Sequence, residues 1–289
     1  GIQASEFPSI AITRDGKGFY FQRTGSLNLS IARPFFNSMS DQINHFATLD
    51  LTFSNLMPIN DSIGEDISKN MIRTGANNSL TLGWRSQEIS GGVNGDIHPL
   101  NGYIFDFRLE NANRALGSKF EYTQLLFDVR RYFPLWFNHV LAFRSSLEFM
   151  TGDTNPLLIG GPPINLNMGI QDFITLRGFN IAEFPGDRLV TANLEYRFPI
   201  LERMNSFIGG IYLDSIYGAF FADSGDAWFD GKRSPQFHLG AGAELRARLG
   251  IGGRGTVGGY AGIARKIIFT PDPEVPNNNQ FYFGFANSF

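Results

Sequence analysis

The chain has no cysteine, few charged residues, only four histidines and no long apolar run. Each shortage removes a class of answers. Without cysteine there is no disulfide framework, and the absence suits export through an oxidising periplasm. No stretch approaches the ~18 apolar residues that a spanning helix needs, and mean hydropathy is −0.11, so a helical membrane protein is excluded. The first residues show no basic segment followed by an apolar one, so no secretory leader is legible there. A net charge of −3 and a pI near 5.8 speak against a nucleic-acid partner.

What is present is aromatic residues, glycine and alternation. The 289 residues include 29 Phe and 33 Gly, with 14% aromatic and only 18% charged residues, against about 25% charged in a typical soluble domain. The length fits two soluble domains or one large barrel. Period-two patterns run through nearly the whole chain. Ala47, Leu49, Leu51 and Phe53 alternate with Thr48, Asp50, Thr52 and Ser54. Leu125, Phe127 and Val129 face away from Gln124, Asp128 and Arg130. Ala192, Leu194, Tyr196 and Phe198 oppose Asn193, Glu195 and Arg197. A soluble sandwich cannot carry such charges on the inner faces of both sheets without spoiling their shared core. A barrel with lipid outside and a wet lumen can. The expected fold is therefore all-β, a transmembrane antiparallel barrel of about twelve strands, with residues 1–289 as a single domain. The first strand, around 5–14, is interrupted by Pro8 and is supported mainly by the even strand number of such barrels.

The last nine residues sharpen this reading. Phe281, Phe283, Phe285 and Phe289 share one parity, with Tyr282, Gly284, Ala286 and Ser288 on the other. A closing aromatic strand of this kind is the assembly signal of bacterial outer-membrane barrels; an ordinary edge strand is the alternative. With the last strand ending in the periplasm, 270–279, the loop around Asp226–Arg233, 151–187 and 57–78 fall outside the cell. The turns near 250–255, 200–206 and 132–139 fall inside. Tyr132, Phe133, Trp136 and Phe137 then form an interfacial aromatic belt. The turn 90–100 is longer than its side of the membrane predicts. Gly284 and Ala286 on the lumen face should weaken packing where the barrel closes.

The segment 151–187 is too long for a connector. It holds Gly160-Gly161 and then Leu176-Arg177-Gly178-Phe179, and it is followed by NLEYRFP at 193–199 and FADSG at 221–225. This ordered set resembles the superfamily of BamA, TamA and the two-partner-secretion transporters such as FhaC. The match is specific over about 118–289 and generic before that. The resemblance implies that the long extracellular loop folds into the lumen and that Arg177 at its tip pairs with Glu195 and Asp223 on the wall. A guanidinium between two carboxylates is a strong directional anchor, Gly178 permits a tight turn, and Phe179 can pack beside it. Members of that superfamily typically have sixteen strands and periplasmic feeder domains. Here the four missing strands are N-terminal, and about five residues precede the first candidate strand.

Other chemistry is not legible. An outer-membrane phospholipase needs a Ser-His pair with an orienting group; His45, His98, His139 and His238 lie in no HxS or GxSxG motif and are expected at interfaces or in the lumen. An autotransporter needs an N-terminal helix, which residues 1–15 do not pattern. Asp223, Asp226 and Asp230 lack the closing Glu of a calcium loop and read as a solvated loop. No metal, no cofactor and no enzymatic activity are expected. The resemblance implies insertion or transport of proteins, or lipid, at the outer membrane of a Gram-negative bacterium. Its partners would be outer-membrane lipid and lipopolysaccharide, unfolded outer-membrane or secreted proteins, and other subunits of an outer-membrane complex. The alternative is a small channel or accessory barrel without insertase activity.

Overall fold

The computed structural model describes residues 1–13, 18–38, 43–59, 72–90, 98–153, 155–163, 174–202, 206–208, 211–251, 256–267 and 279–285. The described residues contain β1 (Ile2–Ile12), β2 (Phe19–Ser38), β3 (Ile43–Pro58), β4 (Gly75–Ser90), β5 (Asn101–Ala112), β6 (Tyr122–Pro134), β7 (Val140–Gly152), β8 (Leu157–Ile159) and β9 (Phe184–Gly186). They continue with β10 (Arg188–Leu201), β11 (Ser206–Ile208), β12 (Ile211–Trp228), β13 (His238–Ile251), β14 (Thr256–Ile267) and β15 (Gln280–Phe285). Twelve of these form one antiparallel path, β1-β2-β3-β4-β5-β6-β7-β10-β12-β13-β14-β15. The twelve wall strands expected from alternation are these. β11 pairs only with β12, and β8 and β9 form a separate hairpin. Among the described residues β1 and β15 are each paired on one side only.

The wall is inside out relative to a soluble protein. Leu82, Leu194, Phe220, Leu245 and Phe283 stand exposed on the outer face, while Asp128, Glu148, Glu195, Asp223 and Glu244 are buried on the inner one. That inversion suits a surface solvated by hydrocarbon. The sheet curls until His98, beyond β4, stacks on Tyr217 of β12 across the lumen, with ring centroids 4.3 Å apart. β1 runs unbroken through Pro8, which lies opposite Arg23. An edge strand tolerates proline because a missing N–H there need not break a ladder bond.

Two expectations change, and a third residue acquires a neighbour. Phe133, Trp136 and Phe137 are exposed at the rim as a belt would be, but Tyr132 is buried, with the Arg197 guanidinium 5.5 Å from its ring. The long turn around 90–100 ends inside the barrel: Leu100 packs against Ile89, Ile104, Tyr132, Val140 and Ala142, and His98 is 2% exposed. Gly284, expected to weaken packing where the first and last strands meet, lies on its other side directly opposite Tyr260 of β14, and Ala286 lies outside the described residues. A Cβ on Gly284 would stand 2.4 Å from the Tyr260 hydroxyl. The glycine is there because an aromatic ring covers it. The same arrangement recurs at Phe198 over Gly218, Phe221 over Gly242 and Tyr282 over Gly262, each pair in direct register.

Candidate functional site

The segment between β7 and β10 leaves the wall, closes the β8–β9 hairpin and returns its tip into the lumen. The hairpin lies so close to β12 that a Cβ on Gly186 would stand 2.2 Å from the Trp228 nitrogen. Its base is tied to the wall, with Asp230 N donating to Asp187 Oδ1 at 2.8 Å and Arg188 Nη2 to Asp230 Oδ2 at 3.2 Å. Leu176 and Phe179 join Met150, Leu157, Ile159, Leu189 and Ala227 in one apolar cluster. Burial of that cluster supplies the non-directional part of docking.

The directional part is Arg177. Its Nε and Nη2 donate to Asp223 Oδ2 and Oδ1 at 2.6 and 2.7 Å, its backbone N donates to Oδ2 at 3.1 Å, and Nη1 donates to Glu195 Oε1 at 2.6 Å. The guanidinium also lies 3.5 Å from the centre of the Phe221 ring. The structure thus brings together Leu176, Arg177, Gly178, Phe179, Glu195 and Asp223. Phe281, Phe283 and Phe285 lie apart on the outer face, and Phe289 lies outside the described residues.

The network is larger than the sequence suggested. Glu195 also accepts from Arg197 Nε at 2.8 Å and from Arg246 Nη2 at 2.8 and 2.9 Å. Arg246 Nε donates to Glu244 Oε1 at 2.6 Å, and the Tyr282 hydroxyl donates to Glu244 Oε2 at 2.9 Å. Three arginines (177, 197, 246) meet three carboxylates (195, 223, 244), all six nearly sealed from solvent. The cluster is neutral, the condition under which so many ions can leave water together. Glu195/Arg197 and Glu244/Arg246 each sit two apart on the inward parity, the signal from which their shared face could be read.

Glycine and glutamine complete the seat. Gly178 has φ +94°, and a Cβ there would lie 2.9 Å from the Arg265 carbonyl carbon. On the adjoining strand β13 a Cβ on Gly240, which pairs with Lys266 and Asp223, would lie 1.9 Å from the Arg177 oxygen. Gln280, the first residue of β15, accepts from Gly178 N and donates to the Phe179 oxygen, both at 2.9 Å. The tip therefore touches β10, β12, β13, β14 and β15.

The remaining candidates have other partners. Asp226 takes both Nη groups of Arg233 at 2.6 Å and is buried, so Asp223 and Asp226 belong to two separate ion pairs and not to a solvated loop. His238 stacks on Phe184 at 4.1 Å. His45 Nδ1 and the Tyr103 hydroxyl lie 2.8 and 3.2 Å from Ser86 Oγ, and His139 Nδ1 lies 2.5 Å from the Tyr196 hydroxyl. Among the described residues no group of three metal-ligating side chains is present.

A model of the Omp85 superfamily domain matches residues 14–289. No curated protein matches the chain. Among solved structures, BamA from Haemophilus ducreyi lacking POTRA domains 1–3 is similar at 15% identity and a TM-score of 0.61, covering 96% of this chain and 56% of that one. CdiB from Acinetobacter baumannii is similar at 17% identity and a TM-score of 0.47, covering 92% and 42%. The chain spans about half the length of these structures. The first likeness shows a shared antiparallel barrel fold.

Proposed function

The chain belongs to the Omp85 superfamily of outer-membrane barrels, and on that premise we propose that it assembles or translocates proteins at the outer membrane of a Gram-negative bacterium. Its clients are unfolded outer-membrane or secreted proteins. Its surroundings are outer-membrane lipid and lipopolysaccharide, with further subunits of an outer-membrane complex beside it. The β8–β9 side faces outward and the His98 side faces the periplasm.

The observation that carries this reading is the docked tip. Arg177 and Gln280 fasten one loop to the wall from β10 to β15, which stiffens that half of the barrel up to its last strand. β1 and β15 each keep one unpaired side among the described residues. Unpaired edges template new strands, so strand pairing with a client is the chemistry on offer, and it needs no catalytic group.

The test is client folding. Vesicles of outer-membrane lipid containing the chain are mixed with a urea-unfolded barrel protein. The client should fold several-fold faster than in empty vesicles, and Arg177→Ala should abolish the gain. Equal rates with and without the chain would remove the reading.

A further inference from the structure

One rung of the wall crosses β6, β7 and β10 at Arg130, Arg144 and Asn193, which stand directly opposite one another in register. All three share the inward parity of Asp128, Glu148 and Glu195. Like charges directly opposite one another repel, and a single carboxylate offsets this pair. Asp128 Oδ1 accepts from Arg130 Nε at 2.9 Å, and Oδ2 accepts from Arg144 Nε at 2.8 Å. Ser146 Oγ donates to Oδ2 as well, so both oxygens are in use.

Both arginines spend only Nε on this carboxylate. Their terminal amino groups have no partner among the described residues, and each side chain keeps 23% exposure toward the lumen. Asn193 is 6% exposed, and its amide likewise has no partner among the described residues. The neighbouring acids are committed. Asp106, opposite Asp128, pairs with Arg85 at 3.4 Å, and Asp223, opposite Asn193, holds Arg177. Two arginines and one aspartate leave a charge of +1 at this rung, and both arginine side chains keep part of their surface exposed beside the buried Asn193.

We infer that Arg130, Arg144 and Asn193 form an oxyanion site on the lumen wall, beside the seat of the loop tip. The ligand is a carboxylate or a phosphate, whose paired oxygens match the planar ends of two guanidiniums. The Asn193 amide supplies the third donor. The oxyanion comes either as a free ion or as the acidic side chain of an extended polypeptide in the lumen.

The full chain in detergent is titrated calorimetrically with inorganic phosphate. A second arm uses a short peptide carrying one Glu and its Gln twin. Phosphate should bind saturably. Arg130→Gln and Arg144→Gln should each weaken it about tenfold, the loss of one charge-assisted contact. Asn193→Asp, which keeps the size and adds a repelling charge, should do the same in a barrel that still shifts on heating in a gel. Arg108→Gln removes the same charge from the inner face of β5, four residues or about 13 Å along the strand from Ile104, the neighbour of Arg130. It should bind phosphate normally. Competition by the Glu peptide alone assigns the site to a polypeptide carboxylate, and phosphate binding without competition assigns it to a free ion. Absence of saturable binding, or an equal loss in Arg108→Gln, overturns the inference.

Discussion

Arg177 and Asp223 are unequal partners in the same ion pair. Without the Arg177 side chain, Glu195 keeps Arg197 and Arg246, whereas Asp223 loses its whole guanidinium fork and is left with the backbone N–H of residue 177. A buried carboxylate stripped of its partner costs about 3–5 kcal/mol. Arg177→Ala should therefore lower the heat-modifiability midpoint more than the double variant Arg177→Ala/Asp223→Ala does, because the second change removes the orphaned charge. A double variant as unstable as the single one would contradict this account. Gly240→Ala should reproduce the loop phenotype without touching an ionisable group, since its Cβ would collide with the Arg177 oxygen. Trypsin reads this directly: cleavage after Arg177 should be slow in the native chain and fast in Gly240→Ala.

At the level of elements, the four aromatic–glycine pairs make a prediction about order. Removing a ring exposes backbone, while adding a methyl to its glycine forces the ring away. Gly262→Ala should displace Tyr282 from Glu244 and loosen β15. Tyr282→Phe should lose only the hydrogen bond, at about 1 kcal/mol. Amide exchange along β14 and β15 separates the two: broad deprotection for the first, little change for the second. These pairs also show where sequence reading stops. Each strand showed its alternation and therefore its two faces, and Arg177, Glu195 and Asp223 were legible as an ordered motif. Register was not legible. Whether Gly284 faces a void or a ring depends on which residue of β14 stands opposite, and neither strand carries that alone. For the same reason Glu244 and Arg246 looked like any lumen charges. Tyr132 is a different lesson. It shares the parity of Asp128 and Arg130, so alternation had already placed it inside, and only the rim location argued otherwise.

In the molecule as a whole, described residues enter the lumen from both ends. The loop tip enters from the β8–β9 side, and His98 enters from the other, next to Arg197 and Arg246. His98 Nε2 lies 2.9 Å from the Asn138 oxygen, and because a carbonyl only accepts, that nitrogen carries the proton. Burial lowers the pKa of the ring from 6.5 to about 4. The Asn138 carbonyl opposes this, and Arg197, Arg246 and His139 add to it. The docked ring is therefore neutral. Docking is fully favourable above about pH 6.5 and weakens as pH falls towards 4, because the undocked imidazole takes up the proton first. Bilayer conductance should become noisier between pH 7 and pH 4.5. His98→Phe, which retains a ring against Tyr217, should flatten that dependence; an unchanged pH profile in His98→Phe would assign it to another group.

Gln280 has a consequence in time. An exported barrel folds after its whole chain is made, and Gly178 donates to a residue 102 positions later. The seat is complete only when Gln280 has reached the wall. Seating therefore records that β15 has joined β14. A chain ended before Gln280 should leave Arg177 open to trypsin however long it is given to fold.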